Sequence, residues 1–308
     1  MDTLISIAPL MGYTDPYFCR LMRWIAPDIH LYTEMLHAGA VIHGQKHHHY
    51  GDLAPHISLQ LGGSNPDECG KAARLASEFG FAALNLNLGC PSPKVQKGSF
   101  GACLMKNKAL VSECLSAMQD QSTIPVSIKC RLGVDDYDSD AFFFDFMSTM
   151  LEVGCDAWVV HARIAILNGL STKENREIPV LNYDRVWRLK MLFPQASICI
   201  NGGIQSIEAI DAQLTHVDGV MLGRWAMHNT WDMRGLQMHY FPDTDNLLTK
   251  DEVINHYIRH VETRLDDDGF ALSYKLRHLA NLYHGEPHAK QWRSQVAQCK
   301  DLHLLMRS

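Results

Sequence analysis

The sequence predicts an α/β chain, a (β/α)8 TIM barrel followed by a small all-helical carboxyl-terminal domain, and three observations carry that prediction. Short runs rich in Val, Ile and Leu alternate with helix-length amphipathic stretches, which implies parallel strands joined by right-handed crossovers. There are eight such runs, the number that closes a barrel of roughly 250 residues. After Phe241-Pro242-Asp243 the strand-like runs stop and only helical patterns remain. The expected division is therefore 1–243 for a catalytic barrel and 244–308 for a helical domain. A chain of 308 residues with 46% hydrophobic composition can bury one large core and still have residues for an appendage.

The strand candidates are Leu4 to Pro9, Leu31 to Met35, His56 to Leu61, Ala82 to Leu88, Val126 to Arg131, Ala157 to His161, Ser197 to Ile200 and Gly219 to Leu222. Between them, Pro66 to Phe79 and Ala109 to Gln119 read as helices, with Asn65 and Asn107 as starting caps. Thr249 to Arg264, Ala271 to Tyr283 and Lys290 to Gln298 read as the helices of the second domain. The run Phe142-Phe143-Phe144 reads as a buried helix shoulder, and Trp292 as helix packing.

On such a barrel, chemistry belongs at the carboxyl ends of the strands. The fourth run ends in Asn85-Leu86-Asn87-Leu88-Gly89-Cys90-Pro91-Ser92, where Gly89 and Pro91 break the strand and proline holds Cys90 in extended backbone at its mouth. Gln60, Lys129, His161 and Arg163, Asn201-Gly202-Gly203 and Gly223-Arg224 close the third, fifth, sixth, seventh and eighth runs. The loops after strands seven and eight are the usual phosphate cradle of this fold, where glycines let N–H groups approach an anion and Arg224 adds charge. A phosphate there, with a glutamine and a lysine at the mouth and no metal-ligand cluster, suggests flavin mononucleotide. Lys129 would face the N1/O2 edge, where reduction deposits negative charge. No G-x-G-x-x-G opens a helix, so a tightly held Rossmann nicotinamide site is not expected.

Nine cysteines without a C-x-x-C pair suggest neither a zinc knuckle nor a disulfide framework. No apolar run approaches a membrane span and no leader precedes the first strand, so a reducing cytoplasm is the expected compartment, with no membrane partner and a monomer as the expected state. The net charge of −6 is unevenly spread: residues 271–308 carry six Lys or Arg against two acids, leaving a basic end on an acidic body. That split suits a polyanion gripped from one side, and it also suits an ordinary solvated helix face.

The motifs Ala8-Pro9-Leu10-Met11, Tyr32-Thr33-Glu34-Met35, Leu59 to Gly63, Asn85 to Ser92, Phe100 to Met105, His161-Ala162-Arg163, Lys173-Glu174-Asn175-Arg176-Glu177-Ile178-Pro179, Ile200 to Ile204 and Asp218 to Arg224 together resemble those of the tRNA-dihydrouridine synthases. They are most similar to the bacterial A-type branch, from Ile7 to about Arg293. The resemblance implies an FMN enzyme that reduces uridine to 5,6-dihydrouridine in the D-loop of tRNA, at positions 20 and 20a, with NADPH or NADH recharging the flavin. It also implies flavin contacts from Pro9, Leu10, Met11, Gln60, Lys129, His161, Asn201 to Gly203, Gly223 and Arg224.

The residues account for that chemistry independently. Uracil C6 is electrophilic through conjugation with the C4 carbonyl, so a hydride adds there and C5 then needs a proton. A cysteine of ordinary pKa, about 8.5, is mostly thiol at neutral pH and can act as the general acid. Cys90 takes that role and Asn87 is expected to hold the uracil edge. Because folded tRNA buries the base, the enzyme must extract it. Arg163, Lys173, Asn175 and Arg176 on the rim and Arg277, Lys290 and Arg293 on the helical domain are the expected tRNA contacts. Two features depart from the family pattern: Ile164 and Ile166 stand where relatives carry a cation and an aromatic, and His47-His48-His49 reads as a mobile surface loop with no recognisable metal set. An FMN barrel acting on a free pyrimidine or small enone, and a tRNA-binding chaperone of weak catalysis, are the alternative functions. The first has little use for a basic tail, and intact Cys90, Lys129 and His161 speak against the second.

Overall fold

A computed structural model of the chain describes residues 4–44, 46–265 and 269–307. The described residues fall into two compact units, one formed by the chain up to Met11 with His30–Leu222, the other by Gly12–Ile29 with the chain from Gly223 onward. The division falls after Leu222 and gives the chain's first helix to the second unit, whereas the sequence reading divides the chain at 243/244.

The first unit is the barrel. Its strands are β1 (Ile5–Ile7), β2 (His30–Tyr32), β3 (Ile57–Gly62), β4 (Ala83–Leu88), β5 (Val126–Arg131), β6 (Ala157–His161), β7 (Ser197–Asn201) and β8 (Gly219–Leu222). All pair in parallel, and the ring closes through β8 on β1, β1 on β2 and β2 on β3. The predicted second strand is shorter than expected. Thr33 gives its hydroxyl proton to the Glu34 carbonyl and accepts the Gln60 N–H at 3.0 Å, which ends the ladder, and Leu36–His37 rejoins the edge of β3 as a two-residue strand. Ala8, Tyr32, Val159, Cys199 and Met221 pack together inside the ring, so it is a filled core and not a pore.

The expected caps are in place. Asn65 accepts the Glu68 N–H and Asn107 the Leu110 N–H, starting the helices Pro66–Phe79 and Lys108–Gln121. Phe143 is fully buried in the helix Asp140–Glu152. The histidine run is not a mobile loop: His47 is buried edge-on to Phe79 and His48 stacks on the same ring at 4.8 Å, within the 3-10 segment Lys46–His56. Aromatic neighbours recruited it, which composition did not signal.

The second unit is helical. The capping box of Thr249 and Glu252 starts Lys250–Glu262, and Ala289–Gln298 buries Trp292, whose indole N–H donates to the Leu279 carbonyl at 2.7 Å. The helix expected from Ala271 to Tyr283 is broken into Leu272–Leu276 and a 3-10 turn, Arg277–Asn281. The Tyr257 hydroxyl takes the Lys275 carbonyl that an α-helix offers to Leu279 N. Among the described residues no helix is long and apolar enough to cross a membrane.

Candidate active site

Parallel register sets the polar side chains of the barrel mouth in rows. Gln60 lies opposite Asn85 and Asn85 opposite Ser127; one row on, Asn87 lies opposite Lys129, and beyond that Arg131, His161 and Asn201 are neighbours. These residues sit in strands that are otherwise mostly apolar and buried, so their polar atoms must find partners within the protein. They do. Gln60 donates to Asn85 Oδ1 at 2.7 Å and accepts from Asn87 Nδ2 at 2.8 Å, while Asn85 Nδ2 donates to Ser127 Oγ at 3.0 Å.

Asn87 closes the turn that carries Cys90. Its Oδ1 accepts the N–H groups of Gly89 at 3.2 Å and Cys90 at 3.0 Å. With its amide nitrogen donating to Gln60, this side chain shapes the Cys90 turn and keeps one amide hydrogen beyond these bonds. On the far side the Cys90 carbonyl accepts Ala102 N–H at 3.0 Å, a close approach permitted by Gly101, whose φ is +77° and whose Cβ would come within 2.7 Å of that carbonyl oxygen.

Cys90 itself is half-buried. Burial pushes its thiol up from the ordinary value, against the opposing pull of the Ser92 N–H and of Arg131, Arg176 and Lys129. It therefore holds its proton at neutral pH. Lys129 reaches across two strands to donate to Asn201 Oδ1 at 3.1 Å, and Asn201 in turn donates to the Met221 carbonyl. Burial, then repulsion from Arg131, pushes the Lys129 ammonium down to about 8. His161 is held well below its usual value by burial, then by Arg131 and Lys129, and so is a neutral imidazole. Its ring fills the space where a Cβ on Gly202 would stand, 2.9 Å away.

Arg131 is the functional residue that sequence reasoning passed over. Almost wholly buried, it donates to the carbonyls of Gly89, Ile164 and Asn175 at 2.9 Å each, and so joins the Cys90 turn to the loop after β6. Its position at the end of β5, two residues beyond Lys129, was the available signal.

The remaining expected contacts divide. Asn175 is a correction: it is 0% exposed, donates to the carbonyls of Ile166, Leu170 and Ser171, and accepts Ile166 N–H, so it folds its own loop and is not presented to RNA. Arg163 is likewise turned inward, onto the carbonyls of Glu177 and Pro179. Lys173 is exposed, Arg176 and Ile164 and Ile166 are half-buried. Pro9 and Leu10 are half-buried and Met11 is 63% exposed; Gly202 is buried and Gly203 exposed. Gly223 and Arg224 belong to the second unit, Gly223 preceding the short helix Arg224–His228.

In that unit Arg277 donates to Asp15 Oδ2 at 2.6 Å and to the Gly12 carbonyl, with its guanidinium 3.8 Å over the Tyr274 ring. Lys290 and Arg293 stand exposed on the helix that buries Trp292. Among the described residues no cluster of His, Cys, Asp and Glu has the grouping of a metal site.

The sequence profile of the family described as Dihydrouridine synthase (Dus) matches residues 6–305. The chain belongs to that family. Its members are generally flavin-dependent. The tRNA-dihydrouridine(20/20a) synthase of Shewanella oneidensis is 42% identical over 299 residues, covering 97% of this chain and 89% of that protein. The proteins of the same name from Xanthomonas campestris and Escherichia coli K12 are 44% and 42% identical, covering 96% and 95% of this chain. Among solved structures, a complex of 2-naphthoyl-CoA reductase with 2-naphthoyl-CoA shares the fold, with a TM-score of 0.55 at 8% identity; this chain covers about half of it, 49%, with 75% of its own length.

Proposed function

We propose that the chain is a tRNA-dihydrouridine synthase that binds FMN and reduces the C5=C6 bond of uridine at positions 20 and 20a of the tRNA D-loop, in the cytoplasm and as a monomer, with NADPH or NADH as electron source. One observation carries the reading: a thiol kept protonated by burial stands on a rigid turn at the end of β4, while a desolvated ammonium and a neutral imidazole stand on β5 and β6. Full-length similarity to synthases of that name supports the substrate.

The residues present fit FMN. Lys129 is an ammonium largely removed from water whose hydrogen-bond partner is an amide oxygen and not a carboxylate. A buried cation without a counter-ion is costly, and an anionic flavin edge beside it supplies one. Gln60 keeps one amide hydrogen and one lone pair beyond its bonds to Asn85 and Asn87, enough to meet a pyrimidine edge. His161 as a neutral imidazole can donate without adding charge. The N–H groups of Gly202 and Gly203 suit a phosphate. Reduced FMN, when bound, supplies hydride for uracil C6.

The protein's own part is protonation and positioning. Cys90 gives its thiol proton to C5, and the resulting thiolate lies within the field of Arg131, Arg176 and Lys129, which lowers the cost of the charge it leaves behind. Lys173, Arg176, Lys290 and Arg293 supply cationic contacts for the RNA backbone. Mapping dihydrouridine in tRNA from a strain lacking the gene tests the proposal, together with the flavin content of the purified protein. Loss of dihydrouridine at 20 and 20a alone is expected; intact dihydrouridine there, or a colourless protein that takes up no FMN, overturns it.

A further inference from the structure

Two polar side chains of the barrel unit tie loops together without entering the chemistry described so far. Gln96 lies on the short helix Pro93–Lys97, and its amide nitrogen donates to the Pro91 carbonyl and to the Leu167 carbonyl, both at 2.9 Å. One NH2 group thus joins the residue after Cys90 to the loop after β6. Asp135, in the loop after β5, has φ +50°, a conformation that costs a non-glycine residue free energy and persists only where surroundings enforce it. Here the surroundings are three bonds. Its N–H donates to the Ala165 carbonyl at 2.8 Å, its Oδ1 accepts Leu167 N–H at 2.7 Å, and its Oδ2 accepts the Lys106 ammonium at 2.8 Å.

Lys106 ends the 3-10 segment Gly101–Lys106, the segment whose Ala102 N–H holds the Cys90 carbonyl. The contacts therefore close a circuit: from the Cys90 turn through Gln96 to Leu167, through Asp135 to Lys106, and back through Ala102 to Cys90. Asn87 fixes the turn from the β4 side by its N–H groups. The circuit fixes the opposite side.

We propose that Gln96 and Asp135 are positioning residues for Cys90, setting the direction in which its thiol proton is delivered. The inference rests on the reading of Cys90 as proton donor. Neither residue is interchangeable with a near neighbour in shape: Gln96→Glu has no N–H to give, and Asp135→Asn keeps an acceptor for Leu167 but loses the charge that draws in Lys106. Because a misplacement of about 1 Å at a reacting group can cost about 100-fold in rate, the circuit acts on the protonation step and leaves flavin reduction untouched.

The test compares the two half-reactions of the FMN-loaded full chain. Flavin reduction by NADPH and anaerobic reoxidation by tRNA are followed in single turnover for Gln96→Leu, Gln96→Glu, Asp135→Ala and Asp135→Asn, each rate taken per bound flavin. Reoxidation is expected to fall by about 10- to 100-fold in Gln96→Leu and Gln96→Glu, and less in Asp135→Asn than in Asp135→Ala, with reduction at the wild-type rate. Wild-type reoxidation, or equal losses in both half-reactions, overturns the proposal. If Gln96→Leu fails to fold, the Asp135 pair carries the same comparison. Cys90→Ala is measured alongside: if it reoxidises normally, the proton-donor reading fails, whereas a slow Cys90→Ala beside normal Gln96 and Asp135 variants sinks the positioning role alone.

Discussion

The barrel mouth and the basic carboxyl-terminal segment are the two regions where sequence pointed to function, and they differ in how much of that promise reaches solvent. At the mouth, Gln60, Asn85 and Asn87 form one hydrogen-bonded set and Lys129 with Asn201 another, and their polarity is what the site is made of. In the tail, part of the apparent charge is structural. Lys275 is 0% exposed with its ammonium on the carbonyls of Arg264 and Leu265, and Arg277 is paired with Asp15. Lys290, Arg293 and Lys300 are the exposed ones. A count of charges thus overstates a binding face, whereas a cluster of polar residues inside apolar strands does not overstate a site, since burial without partners is too costly to be accidental.

The sharpest break between the regions is expected at Cys90. Cys90→Ala should still accept electrons from NADPH but lose about 10²- to 10⁴-fold in flavin reoxidation by tRNA, the usual worth of a general acid, and Cys90→Ser should recover little because a hydroxyl is far less acidic. Stopped-flow absorbance of the two half-reactions decides; wild-type reoxidation in Cys90→Ala makes the thiol structural.

Next in size is a stability effect in the tail's unit. Asp15, 1% exposed, caps the helix Pro16–Ile25 through Phe18 N–H and meets both Arg277 and His278. Burial alone raises its pKa, but the bonds from His278, Phe18 N–H and Arg277 outweigh that and hold it below the usual carboxylate range. Asp15→Ala leaves the Arg277 guanidinium and the buried His278 ring without their carboxylate and should cost about 3–5 kcal/mol in urea unfolding. A loss like that of an exposed surface residue refutes the structural reading of Arg277.

Lys129 gives a smaller, pH-dependent effect. Its pKa of about 8 in the folded chain lies below the unfolded value of about 10.4, so the unfolded chain binds more protons between the two and stability of the flavin-free protein rises with pH across that window. Lys129→Met should flatten that rise when urea midpoints are compared between about pH 8 and 10. An unchanged slope means that the ammonium is not desolvated.

Least disruptive of all should be Lys290→Ala and Arg293→Ala. Both are solvated, so unfolding midpoints should stay within about 0.5 kcal/mol while the salt slope of tRNA binding falls by about one for each phosphate contact removed. A steep slope that survives the double variant places the RNA-binding charge elsewhere.

The sequence by itself determined the eight strands, because short apolar runs alternating with amphipathic helical stretches bury their faces only as parallel strands with crossovers, and it determined the caps at Asn65 and Asn107 because each bonds an N–H three residues on. It also marked Cys90, Lys129 and His161, whose chemistry stands out against apolar neighbours. Only the tertiary structure decided which polar residues face inward. Asn175 looked available for RNA and is committed to backbone groups, Lys275 looked like surface charge and is buried, and Arg131, Gln96 and Asp135 had no reading at all. Their partners are carbonyls and N–H groups contributed by distant loops, Gln96 and Leu167 being 71 residues apart. A backbone carbonyl is the same acceptor in every residue, so nothing in the order of side chains records which of them a long polar group will meet until the barrel brings the loops together.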